Sequence, residues 1–171
     1  IQDSDKVRYC YIEDEFFHFD DKKFRLLPNV IEEPLQETYT PKPTTVESVD
    51  LRAHFTEVKN QGQQGSCLSF TVTSVFEYMM KLNQSQECDL SEAFLYYNAR
   101  NLDDTGDVSV HTDNGSRFKP AMDSLTRYGI ALEKYCPYDE GVYDRRPSED
   151  AYKDAETRKL IKALNVERNV D

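Results

Sequence analysis

From Cys67 onward, apolar residues recur at spacings of three and four, which predicts an amphipathic helix with one buried face. Six residues form the predicted face: Leu68, Val72, Val75, Phe76, Met79 and Leu82. Glu77 falls among these apolar positions, so we expect it to have a buried partner or to lie at a wet edge. Gly65 and Ser66 stand directly before the run and are suitable helix caps.

Three further helices are predicted downstream. Ser91 caps the first, which covers residues 92 to about 100. The second covers residues 118–128 and closes at Gly129, a residue type that accepts the left-handed conformation found after helix ends. The third opens at 147–149 and runs to about residue 164.

The first 47 residues differ from the rest. Short aromatic runs up to about residue 27 favour an extended strand, and residues 28–47 hold four of the chain's seven prolines, which is typical of an extended connector. We therefore divide the chain into an N-terminal extension, or pro-segment-like arm, at 1–47 and a domain at 48–171. Because the chain begins at Ile1 and not at Met, we expect it to be a piece of a longer protein.

Composition narrows the classes of function. A length of 171 residues allows one domain plus an extension, and 38% hydrophobic residues can build a modest core. The formal charge of −11 makes nucleic acid and anionic membranes poor candidates as partners. No apolar run reaches the roughly 18 residues of a membrane span, and no signal peptide is visible.

The cysteines and histidines do not predict a metal site. Cysteines stand at 10, 67, 88 and 136 without a CxxC pair, and histidines stand at 18, 54 and 111. This spacing is unlike that of zinc ligands, so we predict neither a metal nor a cofactor. All three histidines are expected to be surface residues.

The stretch 61–67 carries the candidate chemistry. Cys67 stands at a predicted helix start, where unpaired N–H groups and the helix dipole lower a thiol pKa and favour the nucleophilic thiolate. Attack on an amide carbonyl creates an oxyanion, which the backbone N–H of Cys67 and the side-chain amide of Gln61 can stabilise. A buried structural cysteine after a glycine turn is the alternative. A phosphate-binding loop is disfavoured because no Gly-Lys-Ser/Thr follows.

An ordered set of short motifs over residues 48–140 resembles the papain-like cysteine proteases. The set comprises Val49-Asp50-Leu51-Arg52, Val58-Lys59-Asn60-Gln61-Gly62, Gly65-Ser66-Cys67, Leu90-Ser91-Glu92, Asn114-Gly115, Tyr128-Gly129-Ile130 and Pro137-Tyr138. The resemblance implies that Cys67 is the nucleophile and Gln61 the oxyanion-hole donor. It also implies that Gly65, Ser66 and the segment Asn114, Gly115 and Ser116 line the substrate cleft.

The resemblance implies an α+β, papain-like fold of which this chain supplies mainly the helical half. The β-rich half is then expected beyond residue 171, since the family's histidine lies about 130–150 residues after the nucleophile and only 104 residues follow Cys67. We expect a second chain or a C-terminal segment to supply the catalytic histidine and asparagine. A cleaved protease, a partial chain and a domain that has lost catalysis remain open.

Three departures mark the chain as an atypical member. Leu68 stands where the family usually has tryptophan. Gln64 and Asp113 stand where many members have a disulfide-bonded pair of cysteines, and their joint absence favours a reducing or intracellular compartment. Ser116 replaces a second glycine at the cleft edge, where its side chain either narrows a subsite or points to solvent.

The predicted activity is that of a cysteine endopeptidase, which hydrolyses peptide bonds of a peptide or protein substrate through an acyl-enzyme. A non-catalytic binding module on the same scaffold is the alternative, and transglutaminase-like acyl transfer is a third interpretation. Residues 1–47 are expected to inhibit the enzyme as the pro-segment of a zymogen, to act as a tether, or to pack as a strand on the back of the domain.

Overall fold

The computed structural model of the chain describes residues 38–39, 48–84, 87–161, 163 and 165–166. Its regular elements, in chain order, are β1 (Thr38–Tyr39), α1 (Cys67–Gln84), α2 (Glu92–Leu102), α3 (Phe118–Arg127), α4 (Glu149–Ala155) and β2 (Asn165–Val166). Three short 3-10 helices lie at Arg52–His54, Glu133–Tyr135 and Glu156–Arg158. Helices therefore dominate the described part of the chain, as predicted for the helical half of the fold.

The core lies where α2 packs between α1 and α3. Four residues of α1 at a spacing of four contribute to it: Leu68, Val72, Phe76 and Met80. The predicted helix is confirmed, but its buried face is narrower than expected. Val75 and Met79 are half-buried at the edge, and Leu82 is 52% exposed because the four-residue spacing turns the buried face towards Met80.

The predicted helix ends at α2 and α3 are confirmed. The Ser91 hydroxyl accepts a hydrogen bond from the backbone N–H of Phe94 at 3.0 Å, which satisfies one of the donors at the start of α2. Gly129 closes α3 with a φ of 81°, and its N–H donates to the Leu125 carbonyl at 3.1 Å. A side chain at Gly129 would place its Cβ 2.0 Å from the backbone oxygen of Ala155, so the ends of α3 and α4 touch directly.

The last helix is shorter than the sequence predicted. Instead of continuing to about residue 164, α4 ends at Ala155 and one 3-10 turn follows. Tertiary contacts explain the early end: the N–H of Leu160 donates to the carbonyl of Leu125 at 3.0 Å, and the Leu160 side chain is buried in the core. The chain leaves the helix because an extended path brings Leu160 into that core.

The two short strands pair in parallel, with Thr38 opposite Asn165 and Tyr39 opposite Val166. This pairing joins the N-terminal extension to the end of the described chain. The rest of residues 1–47 lies outside the described residues, as do Cys10 and His18, so the interpretation of this segment as a pro-segment or tether stays a prediction. No helix among the described residues is long and apolar enough to cross a membrane.

Candidate active site

The candidate nucleophile occupies the first residue of α1. The helix begins at Cys67, and the carbonyl of Ser66 accepts the first hydrogen bond of its ladder from Phe70 N–H at 3.1 Å. Cys67 is half-buried. The unpaired N–H groups of a helix's first turn favour a negative charge at this position.

Gln61 is held through both its side chain and its backbone. Its side-chain Nε2 donates to the Gln64 carbonyl at 2.9 Å, and its own backbone carbonyl accepts a hydrogen bond from the Tyr138 hydroxyl at 2.7 Å. The Ser66 N–H also donates to the Gln64 carbonyl, at 2.8 Å. A side-chain amide has two N–H groups. Because the contact with Gln64 uses one, the second can serve an oxyanion.

The segment after Pro137 contacts the loop 61–67 through Glu140 and Gly141. The carboxylate of Glu140 accepts a hydrogen bond from the Gln63 N–H at 2.7 Å, and it lies so close to Gly62 that a Cβ there would be 2.2 Å from a carboxylate oxygen. Gly62 also has a φ of 63°, which a side chain disfavours. The side-chain oxygen of Gln64 accepts from the Gly141 N–H at 3.3 Å.

Asp113 contacts the same loop at Gly65. Its carboxylate accepts the Gly65 N–H, with the nitrogen 2.9 Å from Oδ1 and 3.1 Å from Oδ2. The Tyr96 hydroxyl donates to the same Oδ1 at 2.6 Å and accepts the Gly115 N–H at 3.3 Å. Burial, together with the hydrogen bond to Asp113, raises the pKa of Tyr96 above its ordinary value, so the hydroxyl keeps its proton.

The predicted cleft edge at 114–116 adjoins this cluster. Asn114 is exposed, whereas Gly115 is buried and has a φ of 92°. Ser116 is only 1% exposed, and its hydroxyl has no hydrogen-bond partner among the described residues. Of the two alternatives left open for the Ser116 side chain, exposure to solvent is excluded by this burial. Asp113 and Tyr96 together link Gly65 to Gly115. The substrate-binding roles of these residues stay predictions.

A partly buried ionic cluster holds the segment that leads into Gln61. Lys59 Nζ lies 3.0 Å from Glu77 Oε1, 2.8 Å from Glu92 Oε1 and 2.6 Å from Asp89 Oδ1. Glu77 also accepts the Leu90 N–H at 2.8 Å. Of the two alternatives predicted for Glu77, a buried partner or a wet edge, the structure shows the first, since the Leu90 N–H is buried.

Burial shifts the pKa values of this cluster in a definite sense. Burial raises the pKa of Glu92 to about 7, against the opposing effect of its hydrogen bond from Lys59. Burial acts to lower the pKa of Lys59, but the hydrogen bonds to Asp89 and Glu92 outweigh it, and this pKa lies above its ordinary value. Lys59 is therefore a permanent cation beside carboxyl groups that compete for it.

Neither described histidine is buried. His54 and His111 are both exposed, as predicted for surface residues. Within the described ranges, no group of three or more His, Cys, Asp and Glu side chains is placed to hold a metal ion.

Sequence reasoning missed the partners that hold the loop. Asp113 was noted only as a missing cysteine, and Tyr96 was only one residue of a predicted helix. Tyr138 was only part of the motif Pro137-Tyr138, and Glu140 follows that motif. One signal was available: Gln64 and Asp113 stand where many family members have a disulfide-bonded pair of cysteines, and a carboxylate there is an acceptor for any N–H opposite it.

Comparison with known proteins identifies the family. A model described as papain family cysteine protease matches residues 44–169, which is well over half of the chain. The chain belongs to this family of cysteine proteases. No curated protein sequence matches it.

Solved structures support the fold. Xylellain, a cysteine protease from Xylella fastidiosa, matches with a TM-score of 0.71 and 20% identity over 91% of this chain. A digestive procathepsin L 3 from the larval midgut of Tenebrio molitor matches with a TM-score of 0.54 and 27% identity over 71% of this chain. The chain spans 63% of the first structure and 39% of the second. The predicted papain-like fold is confirmed.

Proposed function

We propose that this chain supplies the nucleophile and the oxyanion-hole donors of a cysteine endopeptidase acting on a peptide or protein substrate. The observation that carries the proposal is the double anchoring of Gln61, through its side-chain amide to Gln64 and through its carbonyl to Tyr138. This anchoring fixes an amide donor in the loop that ends at Cys67, the first residue of a helix. A donor fixed in advance is what stabilisation of a developing oxyanion requires.

In the proposed reaction, the Cys67 thiolate attacks the carbonyl carbon of a peptide bond, and the C–O π electrons move to oxygen. The Cys67 N–H and the second Gln61 N–H donate to this oxyanion. When the tetrahedral intermediate collapses, the C–N bond breaks and the amine leaves with a proton from a histidine. Water, deprotonated by the same histidine, then attacks the thioester, releases the acid product and restores the thiolate.

We assign that histidine, and the asparagine that orients it, to a second chain or to a C-terminal segment. Residues 1–47 are proposed to act as a pro-segment, with a tether as the alternative role. Because a hydrogen-bonded carboxylate, Asp113, stands where a disulfide would otherwise join the loop, an oxidising compartment is not needed for this contact.

The test is substitution of the nucleophile in protein that includes the histidine-bearing segment. Cys67→Ala is expected to abolish hydrolysis of a peptide substrate and labelling by iodoacetamide at this position. The matched control is Cys88→Ala, because Cys88 is also half-buried but contacts Met80 in the core. Full activity of Cys67→Ala would overturn the proposal, and binding of peptide without turnover by the unsubstituted protein would favour a non-catalytic module.

A further inference from the structure

We infer that Asp113 is a positioning residue that fixes the Gln64–Gly65 peptide unit and, through that unit, the side-chain amide of Gln61. The inference rests on the proposed function and adds a residue to it. Asp113 is not proposed to touch substrate. Its effect on the reaction is transmitted through one rigid peptide plane.

The peptide unit between Gln64 and Gly65 has a hydrogen bond at each end. Its carbonyl oxygen accepts from Gln61 Nε2 at 2.9 Å, and its N–H donates to the Asp113 carboxylate at 2.9 Å. Because a peptide unit is planar, the direction of its N–H also sets the direction of its C=O. The Asp113 carboxylate therefore orients the acceptor that holds the Gln61 amide.

Asp113 is itself fixed from a second direction. The Tyr96 hydroxyl donates to its Oδ1 at 2.6 Å, and Tyr96 is only 1% exposed. The guanidinium of Arg100 lies 3.9 Å from the centre of the Tyr96 ring and donates to the Thr112 carbonyl at 2.8 Å. Arg100 is also 1% exposed. The buried guanidinium of Arg100 thus stabilises the Tyr96 ring and the backbone at Thr112, the residue before Asp113.

The exact position of the oxyanion donor matters for acyl transfer. An oxyanion donor stabilises the transition state only when it is already in place, and small displacements of positioning groups reduce rates by orders of magnitude. Without the carboxylate, the Gly65 N–H loses its acceptor and the peptide unit can rotate. The Gln61 amide would then follow its acceptor away from the position that serves the oxyanion.

The test compares Asp113→Asn with Asp123→Asn in protein that includes the histidine-bearing segment. Both substitutions remove one carboxylate charge, but Asp123 forms a partly exposed ion pair with Lys119 on α3. The Gly65 nitrogen lies 2.9 Å from Oδ1 and 3.1 Å from Oδ2 of Asp113. Asparagine keeps one acceptor oxygen there, but its amide nitrogen replaces the other and opposes the Gly65 N–H, donor against donor, which weakens the contact. Two rates are measured: kcat for hydrolysis of a peptide substrate, and alkylation of Cys67 by iodoacetamide.

The two rates separate positioning of the oxyanion donor from general loss of structure. In alkylation the thiolate forms a bond to carbon as iodide leaves, so no oxyanion develops. We expect Asp113→Asn to lower kcat about 10–30-fold, less than the roughly 10²–10³-fold of a deleted donor. Alkylation should stay within about twofold of the unsubstituted protein, and KM should change little, because the lost interaction belongs to the transition state.

Tyr96→Phe provides a second variant that keeps the ring beside Arg100. It should lower kcat less than Asp113→Asn. The double variant should lower kcat by less than the product of the two single effects, because the substitutions share the Asp113 carboxylate, although Tyr96→Phe also removes the acceptor of the Gly115 N–H. If Asp113→Asn and Asp123→Asn had equal kcat values, the inference about Asp113 would be overturned and the proposed function would stand. A fall of kcat and of the alkylation rate by the same factor, in both Asp113→Asn and Tyr96→Phe, would have the same consequence. Absence of hydrolysis by the unsubstituted protein would overturn the proposed function as well.

Discussion

The hydroxyl of Tyr138 donates a hydrogen bond to the backbone carbonyl of Gln61 across 2.7 Å, although 77 residues separate them in the chain. The same hydroxyl lies 2.9 Å from Ser66 Oγ, which donates to it in turn. The Tyr138 ring packs edge-on against Phe70, with the ring centres 4.9 Å apart. One side chain therefore joins the candidate oxyanion donor, the residue before the nucleophile and the first turn of α1.

Removal of this hydroxyl is expected to destabilise the fold. Tyr138→Phe keeps the packing against Phe70 but leaves the Gln61 carbonyl and the Ser66 hydroxyl without their partner, which costs about 1–3 kcal/mol of unfolding free energy. Burial raises the pKa of Tyr138 to about 12, so the hydroxyl is protonated and the effect should not depend on pH near neutrality. Urea unfolding measures it.

The matched control is Tyr135→Phe, which removes a hydroxyl from a tyrosine that is 40% exposed. It should change the unfolding free energy by less than about 0.5 kcal/mol. Equal unfolding midpoints for the two variants would show that the contact between Tyr138 and Gln61 contributes nothing to stability.

Gln61→Ala tests the oxyanion donor directly. Loss of one such donor lowers kcat by about 10²–10³-fold, and peptide hydrolysis by protein that includes the histidine-bearing segment measures it. Gln63→Ala is the control, because Gln63 is exposed and is held through its backbone N–H, which the substitution keeps. If both variants retained full kcat, Gln61 would not be an oxyanion donor.

The parts of the fold that the sequence predicted depend on local chemistry. The start of α1 at Cys67, the Ser91 cap and the left-handed turn at Gly129 each follow from a few neighbouring residues, and each is confirmed. The length of α4 was mispredicted because its end depends on Leu160 entering a core built from distant segments. Periodicity alone contains no information about that competition.

The candidate site also has one part that the sequence predicts and another part that depends on distant contacts. Gln61 and Cys67 were predicted from the ordered set of motifs over residues 48–140, and both lie in the stretch 61–67. The contacts that fix this loop come from residues distant in sequence: Asp113 lies 48 residues after Gly65, and Glu140 lies 77 residues after Gln63. A single sequence shows that a carboxylate exists at these positions, but not which N–H it accepts. The structure was needed to pair them.

The partly buried cluster around Lys59 should make stability depend on pH. Because the pKa of Glu92 is raised to about 7 in the folded protein, above 4.5 in the unfolded chain, folding favours its protonated form. The resulting stability is fully present below pH 4.5 and is lost as the pH rises through 7. We expect a loss of about 1–3 kcal/mol across this window, and the raised pKa already includes the opposing attraction of Lys59 for the carboxylate.

Glu92→Gln should flatten this dependence, because glutamine does not titrate. A smaller slope of the same sign should remain, since burial also raises the pKa of Glu133, which lines the same region. Urea unfolding at both ends of the window measures the slope. Glu156→Gln, at an exposed position, is the control. An unchanged slope in Glu92→Gln would rule out Glu92 as its source.

Two glycines with nearly equal backbone angles separate conformational strain from steric contact. Gly129 has a φ of 81° and Gly106 a φ of 82°, so alanine at either position meets the same left-handed penalty of about 1–2 kcal/mol. At Gly106 the new Cβ meets nothing within 4 Å, whereas at Gly129 it lies 2.0 Å from the Ala155 carbonyl oxygen. Only the second substitution forces α3 and α4 apart.

We therefore expect Gly129→Ala to lower the free energy of unfolding by at least about 2 kcal/mol more than Gly106→Ala, because overpacking of backbone against backbone adds to the strain. Separation of the two helix ends should also weaken the hydrogen bond from Leu160 to Leu125, since it lies beside the same contact. Faster amide exchange at Leu160 in Gly129→Ala, but not in Gly106→Ala, would show this. Equal destabilisation by both variants would mean that α4 moves away at no cost, contrary to its close packing against Gly129.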